Sequence, residues 1–207
     1  MSEIGVIAII RLRHHEPTDA LYEALIAGGV GALEVTLPTP GSLAVVARWS
    51  NRGGAAVGAG TARDRAGAAA ARDAGASFLV TPTTDGGVLE VGAKAGLPVY
   101  CGATTPTEIE RAHRGGAAAV KVFPVGALGG PSYLKAVMEP LDDIPLVPTG
   151  GVGAENATSY ARLGCVGAGV GSSIVDEELV AAGRWGDITE RAAGVVAAWE
   201  LGVESRS

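Results

Sequence analysis

One lysine lies inside an otherwise apolar segment, residues 117–124 (AAAVKVFP). If this segment is a strand, alternation places Lys121 on one face with Ala119 and places Val120 and Val122 on the other. Burial on the face with the small alanine strips water from the ammonium group and disfavours its charged form. A neutral lysine amine attacks carbonyl carbon atoms, so the segment predicts a Schiff-base nucleophile. The alternative is a structural lysine held in a salt bridge.

A carboxylate occupies a comparable position in residues 32–37 (ALEVTL). The same alternation places Glu34 on a face with Ala32 and Thr36, so small neighbours again surround a polar group. A buried carboxylate can transfer protons, which Schiff-base chemistry requires at several steps. Glu34 could instead only neutralise Lys121 or another cation, and the two roles are compatible.

Two further polar residues end predicted strands. Arg11 follows the first apolar run, and Thr61 follows the third. In a parallel barrel the side chains at the carboxyl ends of the strands face the active site. We therefore expect Arg11 and Thr61 near Glu34 and Lys121.

Two glycine-rich turns follow the last two predicted strands, at residues 148–153 (PTGGVG) and 167–173 (GAGVGSS). Glycine lets backbone N–H groups approach phosphate or carboxylate oxygens closely, and barrels often bind phosphate after strands seven and eight. Either turn alone could be an ordinary turn. Together they predict an anion site.

Eight apolar runs of strand length alternate with Ala-rich helical stretches along the sequence. The predicted strands are Val6–Ile10, Ala32–Leu37, Ala55–Ala59, Phe78–Val80, Pro98–Cys101, Ala118–Phe123, Pro145–Val147 and Cys165–Val170. The predicted helices are Thr18–Ala27, Leu43–Trp49, Ala62–Ala74, Gly87–Ala95, Pro106–Arg114, Ser132–Met138, Ala154–Leu163 and Trp185–Leu201. Left-handed helix caps are expected at Gly28, Gly75, Gly96, Gly115 and Gly164.

This alternation predicts an α/β fold, a (β/α)8 TIM barrel formed by residues 1–207 as a single domain. The alternative is an open doubly wound sheet, whose nucleotide-binding form carries G-x-G-x-x-G after a strand. Here Gly58-Ala59-Gly60 is followed by Thr61-Ala62-Arg63, so the third glycine is missing.

Composition excludes several partners. The net charge is −6 and no Lys or Arg run is present, which argues against nucleic-acid binding. The N-terminal residues lack a signal-peptide pattern, and no apolar run approaches the ~18 residues of a membrane span, so we expect a cytoplasmic protein that binds no membrane. The two cysteines, interpreted as reduced strand thiols, and the three histidines, interpreted as surface residues, show no metal-ligand spacing.

Taken in order, these residues resemble the family of 2-keto-3-deoxy-6-phosphogluconate (KDPG) and 4-hydroxy-2-oxoglutarate (KHG) aldolases. The resemblance extends over essentially the whole chain. Its motifs are LEVTL at 33–37, GAGT at 58–61, VTP at 80–82, KVFP at 121–124, TGGV at 149–152 and GS at 171–172. It implies a class I aldolase that cleaves a 2-keto acid to pyruvate and an aldehyde, as a homotrimer without metal or other cofactor.

The resemblance also implies roles for individual residues. Lys121 would form the Schiff base and Glu34 would be the general acid and base, partly through a bound water. Thr61 would hold the keto-acid carboxylate or that water, and Pro82 would line the pocket. The distal phosphate or carboxylate would be received by Thr149, Gly150, Gly151, Gly171 and Ser172.

The sequence departs from the KDPG pattern in one important position. The family usually carries an arginine four residues after the glutamate, where it grips the pyruvate carboxylate, and here that residue is Pro38. We hypothesise that Arg11 supplies the missing cation; the alternative is that Arg11 is a surface residue. The L-x-x-P pattern together with residues 81–84 (TPTT) is more similar to the galactonate-series (KDPGal) branch.

Two other functions are compatible with parts of this pattern. A phosphosugar isomerase or epimerase barrel would share both glycine turns but would need no Schiff-base lysine. A non-catalytic barrel that binds sugar acids would not need the arginine at position 38. The sequence does not choose among KDPG, its galactonate epimer and 4-hydroxy-2-oxoglutarate as substrates.

Overall fold

Short buried strands alternate with helices throughout residues 4–206, the part of the chain that this computed structural model describes. The strands are β1 (Gly5–Ile10), β2 (Ala32–Thr36), β3 (Ala56–Gly60), β4 (Leu79–Thr81), β5 (Val99–Ala103), β6 (Ala119–Val122), β7 (Leu146–Pro148) and β8 (Gly167–Val170). The helices are α1 (Asp19–Ala27), α2 (Ser42–Ser50), α3 (Arg65–Asp73), α4 (Gly86–Ala95), α5 (Pro106–Arg114), α6 (Pro131–Met138), α7 (Ala154–Arg162), α8 (Glu177–Ala181) and α9 (Trp185–Glu204). A 3-10 turn at Gly126–Leu128 lies between β6 and α6.

The strands are parallel and form one sheet in the order β7-β6-β5-β4-β3-β2-β1-β8. A parallel bridge between Thr149 and Gly169 joins the two ends of the sheet. The Val166 N–H also donates to the Leu146 carbonyl at 3.1 Å. The predicted (β/α)8 barrel is therefore confirmed, and the alternative of an open doubly wound sheet is not.

Alternation along each strand divides the core in two. Val120 and Val122 of β6 belong to the larger cluster, which packs the barrel against the surrounding helices. A smaller cluster fills the interior and consists of Ile7, Ala32, Phe78, Val80, Ala119 and Val147. Ala119 and Ala32 thus face inward and the two valines face outward, as the alternation predicted.

Polar side chains fix where several helices begin. The Thr105 hydroxyl accepts from the Glu108 amide, while the Glu108 carboxylate accepts from the Thr105 amide, which forms a capping box at the start of α5. Asp64 and Asp85 accept backbone N–H groups in the first turns of α3 and α4. Because each helix starts directly after a strand or its loop, these caps set the length of the loops above the barrel.

The predicted left-handed glycine caps are only partly correct. Gly75, Gly96 and Gly164 have φ values of 89°, 67° and 93°. Gly28 and Gly115 have φ values of −80° and −73°, so the prediction was wrong there. The left-handed residue is the next one in each case, since Gly29 has φ 83° and Gly116 has φ 95°. Each pair holds two glycines, and the left-handed residue is the second of them, although α1 and α5 end at Ala27 and Arg114 as predicted.

Helix α8 was not predicted. It is a single short turn after β8, capped by Asp176, whose carboxylate accepts from the Glu178 and Leu179 amides. So short a helix has almost no periodic pattern of its own and depends on its cap and on packing. Other predicted bounds differ from the observed ones by a few residues, and Cys165 lies just before β8 rather than in it.

Candidate active site

The predicted lysine and glutamate meet inside the barrel. Strands β2 and β6 are four strands apart in the eight-stranded ring, so inward side chains from them approach across the interior. The Lys121 Nζ lies 3.5 Å from both Oε1 and Oε2 of Glu34. Lys121 is 7% exposed and Glu34 is 1% exposed. An amine and a carboxylate are therefore paired in a largely dry interior that opens at one end.

Small residues on neighbouring strands make room for this pair. A Cβ atom on Gly60 would lie 2.0 Å from the Glu34 Oε1, so only glycine fits beside the carboxylate. A Cβ on Gly169 would lie 2.5 Å from the Thr149 hydroxyl. The glycines of the strands therefore create the polar upper layer of the barrel, above the apolar lower layer that contains Phe78 and Val80.

Arg11 and Thr61 lie beside each other at the mouth of the barrel. The Arg11 Nη2 donates to the Thr61 Oγ1 at 2.9 Å. Among residues 4–206, Thr61 is the one non-glycine residue with a positive φ, 58°. This conformation is uncommon for a β-branched residue and costs on the order of 1–3 kcal/mol. The surrounding structure holds Thr61 in it, and its hydroxyl is thereby directed to Arg11.

These residues line a cavity of about 490 Å³ at the carboxyl ends of the strands. The cavity is lined by Ile9, Arg11, Thr61, Pro82, Lys121, Phe123, Thr149, Gly150, Gly151, Val152, Gly171, Ser172, Ser173 and Val175. Every residue that the sequence analysis assigned to the site lines this cavity except Glu34. Glu34 does not reach the cavity surface but contacts the Lys121 amine.

Both glycine turns border this cavity. Gly150 and Gly151 have φ values of 83° and 82°, a conformation that favours glycine. The turn leads through Gly153 into the start of α7. The Ser173 hydroxyl donates to the Val152 carbonyl at 2.8 Å, which ties the turn after β8 to the turn after β7. The two turns form one continuous wall with glycine backbone at its surface.

Phe123 is a site residue whose role the sequence analysis missed. It is 42% exposed, and its ring centroid lies 5.8 Å from the Lys121 Nζ. A Cβ on Gly150 would come within 3.1 Å of the same ring. The signal was present, because Phe123 is two residues after the lysine and so lies on the same strand face, one step closer to the mouth.

The loop after β2 contains Pro38 and contributes no cation to the cavity. Pro38 is exposed, whereas the next residue, Thr39, is 2% exposed. Arg11 is therefore the arginine that the structure places on the cavity wall.

Residues 4–206 contain no group of three or more His, Cys, Asp or Glu side chains arranged to hold a metal ion. His14 and His15 are exposed, as predicted, but His113 is half-buried because it lies on the inner side of α5. In the same range no helix is both long and apolar enough to cross a membrane.

Comparison with known proteins gives consistent results. The family model for KDPG and KHG aldolase matches residues 1–191. A 2-dehydro-3-deoxy-phosphogluconate aldolase of Pseudomonas aeruginosa is 35% identical over 190 residues, which are 90% of this chain and 85% of the relative.

Solved structures agree with the sequence matches. A native KDPGal structure superposes with a TM-score of 0.85 at 32% identity and covers 99% of this chain and 98% of its own. A KDPG aldolase from Legionella pneumophila, with pyruvate captured at low pH as a covalent carbinolamine intermediate, has a TM-score of 0.85 at 31% identity. That match covers 94% of this chain and 95% of the other.

Proposed function

Since the chain belongs to the KDPG and KHG aldolase family, we propose that it cleaves a 2-keto-3-deoxy-6-phospho sugar acid or 4-hydroxy-2-oxoglutarate. The products are pyruvate and an aldehyde, either glyceraldehyde 3-phosphate or glyoxylate. The protein is a class I aldolase, a lyase that works through a Schiff base. The observation that carries the substrate proposal is the buried contact between Lys121 and Glu34 at the floor of a cavity lined by glycine turns.

In the proposed reaction the Lys121 amine adds to the C2 ketone of the substrate, and loss of water gives an iminium ion. The iminium withdraws electrons from the C3–C4 bond. Glu34, acting through a water molecule, removes the proton of the C4 hydroxyl as that bond breaks. The aldehyde departs and leaves an enamine on the lysine. Protonation of the enamine at C3 and hydrolysis of the iminium then release pyruvate and restore the amine.

The charged ends of the substrate have separate partners in this proposal. Arg11 and Thr61 hold the carboxylate of the pyruvate unit, and their 2.9 Å hydrogen bond supports a joint role. Arg11 thereby takes the place of the family's arginine, which is absent here because residue 38 is proline. An Arg11→Ala variant should raise the KM for the keto acid, and unchanged activity would contradict this assignment.

The distal phosphate or carboxylate is proposed to lie against the turns after β7 and β8. Thr149, Gly150, Gly151, Gly171 and Ser172 line that side of the cavity. Backbone N–H groups and the nearby start of α7 favour an anion there. Pro82 contacts the substrate from the opposite wall.

The decisive test is borohydride reduction in the presence of pyruvate, followed by mass spectrometry of peptides. We expect an irreversible mass gain on Lys121, because borohydride reduces an iminium to a stable amine. Lys121→Arg should abolish the adduct while keeping a cation beside Glu34. Lys94→Met, which changes an exposed helix residue, should leave the adduct intact. Absence of an adduct on Lys121 would favour an isomerase, an epimerase or a binding protein instead.

A second assay determines which of the three candidate substrates the enzyme prefers. KDPG, its galactonate epimer and 4-hydroxy-2-oxoglutarate should be compared by the rate of pyruvate release. We expect the galactonate-series substrate to react fastest, since residues 81–84 (TPTT) and the loop with Pro38 resemble that branch. Faster reaction of either other substrate would reassign the specificity.

We also propose that the protein is a cytoplasmic homotrimer, which the family resemblance supports. Light scattering coupled to size-exclusion chromatography should give about three times the 20.6 kDa of one chain. A mass equal to one or two chains would contradict the trimer.

A further inference from the structure

The backbone on both sides of Arg11 is held by side chains from two other loops. Arg11 is the first residue after β1 and begins the loop that follows this strand. Among the residues described, its side chain forms a hydrogen bond only with Thr61. A long, exposed arginine in a loop has many conformations, and ordering it on binding costs free energy. Something must therefore limit its movement if it is to bind a carboxylate well.

Thr39 contacts the residues directly before and after Arg11. Its hydroxyl donates to the Ile10 carbonyl at 3.2 Å and accepts from the Leu12 amide at 3.3 Å. The Thr36 hydroxyl lies 2.9 Å from the Thr39 hydroxyl and donates to it, because the single Thr39 proton is already used on Ile10. Thr39 is 2% exposed, so each of these bonds is shielded from water.

Glu177 holds the next two residues of the same loop. Its Oε1 accepts from the Arg13 amide at 2.9 Å and from the His14 amide at 2.7 Å. The hydrogen bond from the His14 amide is the main cause that lowers the pKa of this carboxyl, so the group remains charged at neutral pH. Glu177 is the first residue of α8 and follows the glycine turn after β8. Its hydrogen bonds therefore connect the loop after β1, which carries Arg11, to the segment after β8 that is proposed to bind the distal anion.

We propose that Thr39 and Glu177 are positioning residues that hold Arg11 ready to bind the substrate carboxylate. This inference rests on the proposed function, in which Arg11 binds that carboxylate. Four backbone groups, at Ile10, Leu12, Arg13 and His14, are fixed by two side chains. The loop that carries Pro38 in place of an arginine thus contributes a buried hydroxyl that orients the arginine of the neighbouring strand.

The test measures the pyruvate concentration that gives half-maximal borohydride trapping on Lys121, together with kcat for pyruvate release. Thr39→Val removes the hydroxyl at nearly constant volume, and Glu177→Ala removes the acceptor. Each should raise the half-saturating concentration about five- to tenfold, the size expected for loss of one or two hydrogen bonds. The value of kcat at saturation should change less than about threefold, because the reacting groups are untouched. Thr39→Ser and Glu177→Gln, which keep an oxygen at the same place, should restore most of the affinity.

Two controls separate positioning from a general loss of structure. Glu178→Ala alters the adjacent exposed carboxylate of the same helix turn and should leave both values unchanged. In the Arg11→Ala background Thr39→Val should have no further effect, since residues that act through one group are not additive.

Unchanged half-saturation in Thr39→Val and Glu177→Ala, or effects that add to Arg11→Ala, would overturn this inference alone. A wild-type protein without any adduct on Lys121 would overturn the proposed function and the inference with it. The two failures are therefore distinguishable in one set of measurements.

Discussion

The Lys121 Nζ is equidistant from the two carboxylate oxygens of Glu34, at 3.5 Å from each. Charge-assisted hydrogen bonds between an ammonium and a carboxylate are usually about 2.7–2.9 Å long. At this separation the amine and the carboxylate are in contact but do not form a short charge-assisted hydrogen bond. An amine held in this way keeps access to a carbonyl carbon in the cavity, while the carboxylate remains near enough to exchange protons with it through a water molecule.

Replacement of the carboxylate should stop proton transfer. We expect Glu34→Gln to lower kcat for pyruvate release by about 10²- to 10⁴-fold, the usual contribution of a general acid or base. The enzyme should also exchange the methyl hydrogens of pyruvate for deuterium in D2O, and NMR measures the rate of this exchange. That rate should fall by a similar factor, because the exchange requires protonation of the same enamine. A variant with wild-type exchange would show that Glu34 only balances the charge of Lys121.

A single methyl group on Gly60 should have nearly the same effect. The added Cβ would lie 2.0 Å from the Glu34 Oε1, so the carboxylate must move away from the lysine. Displacement of a catalytic group by about 1 Å can cost about 10²-fold in rate, and we expect Gly60→Ala to lose that much kcat. Gly86→Ala is the matched control, because no atom lies within 4 Å of a Cβ at that position. Full activity in Gly60→Ala would mean that the position of the carboxylate is unimportant.

The backbone conformation of Thr61 should cost stability and support binding. Thr61 has φ 58°, which glycine adopts without strain. We expect Thr61→Gly to raise the free energy of unfolding by about 1 kcal/mol, after the greater backbone entropy of glycine in the unfolded chain is counted. The KM for the keto acid should rise because Arg11 loses its hydroxyl partner. Urea unfolding and steady-state kinetics measure the two effects, and a less stable variant would contradict the assignment of strain.

Cys165 should make the folded protein sensitive to alkaline pH. The thiol is fully buried, and burial raises its pKa from 9.0 to about 12. Above pH 9 the unfolded chain therefore loses this proton before the folded one does. Stability from this group is complete below pH 9 and is lost as the pH rises toward 12, by up to about 1.4 kcal/mol per pH unit.

Urea unfolding at about pH 8 and about pH 10.5 checks this expectation. The wild-type protein should lose roughly 2 kcal/mol more between these values than Cys165→Ala does. Cys101, whose pKa burial raises to about 11, is present in both proteins and cancels in the comparison. Parallel losses in the two proteins would show that Cys165 does not contribute.

Local pattern in the sequence predicted which side chains share a strand face and which polar groups lie at the ends of the strands. Lys121 and Glu34 each interrupt an apolar strand, and alternation assigns each of them to the same face as its small neighbours. Eight repeats of strand and helix predicted the barrel, and the bridge between the two ends of the sheet decided it against the open doubly wound alternative.

Only the tertiary structure determined how far apart these groups lie and what holds them. The 3.5 Å contact joins β2 to β6 across the barrel, and it depends on closure of the whole ring. The left-handed conformation of Thr61, the buried hydroxyl of Thr39 and the carboxylate of Glu177 likewise depend on loops far away in sequence. Periodicity is a local property of the chain, whereas contacts between loops after different strands are set by packing, and so the residues that hold Arg11 had no signal in the sequence.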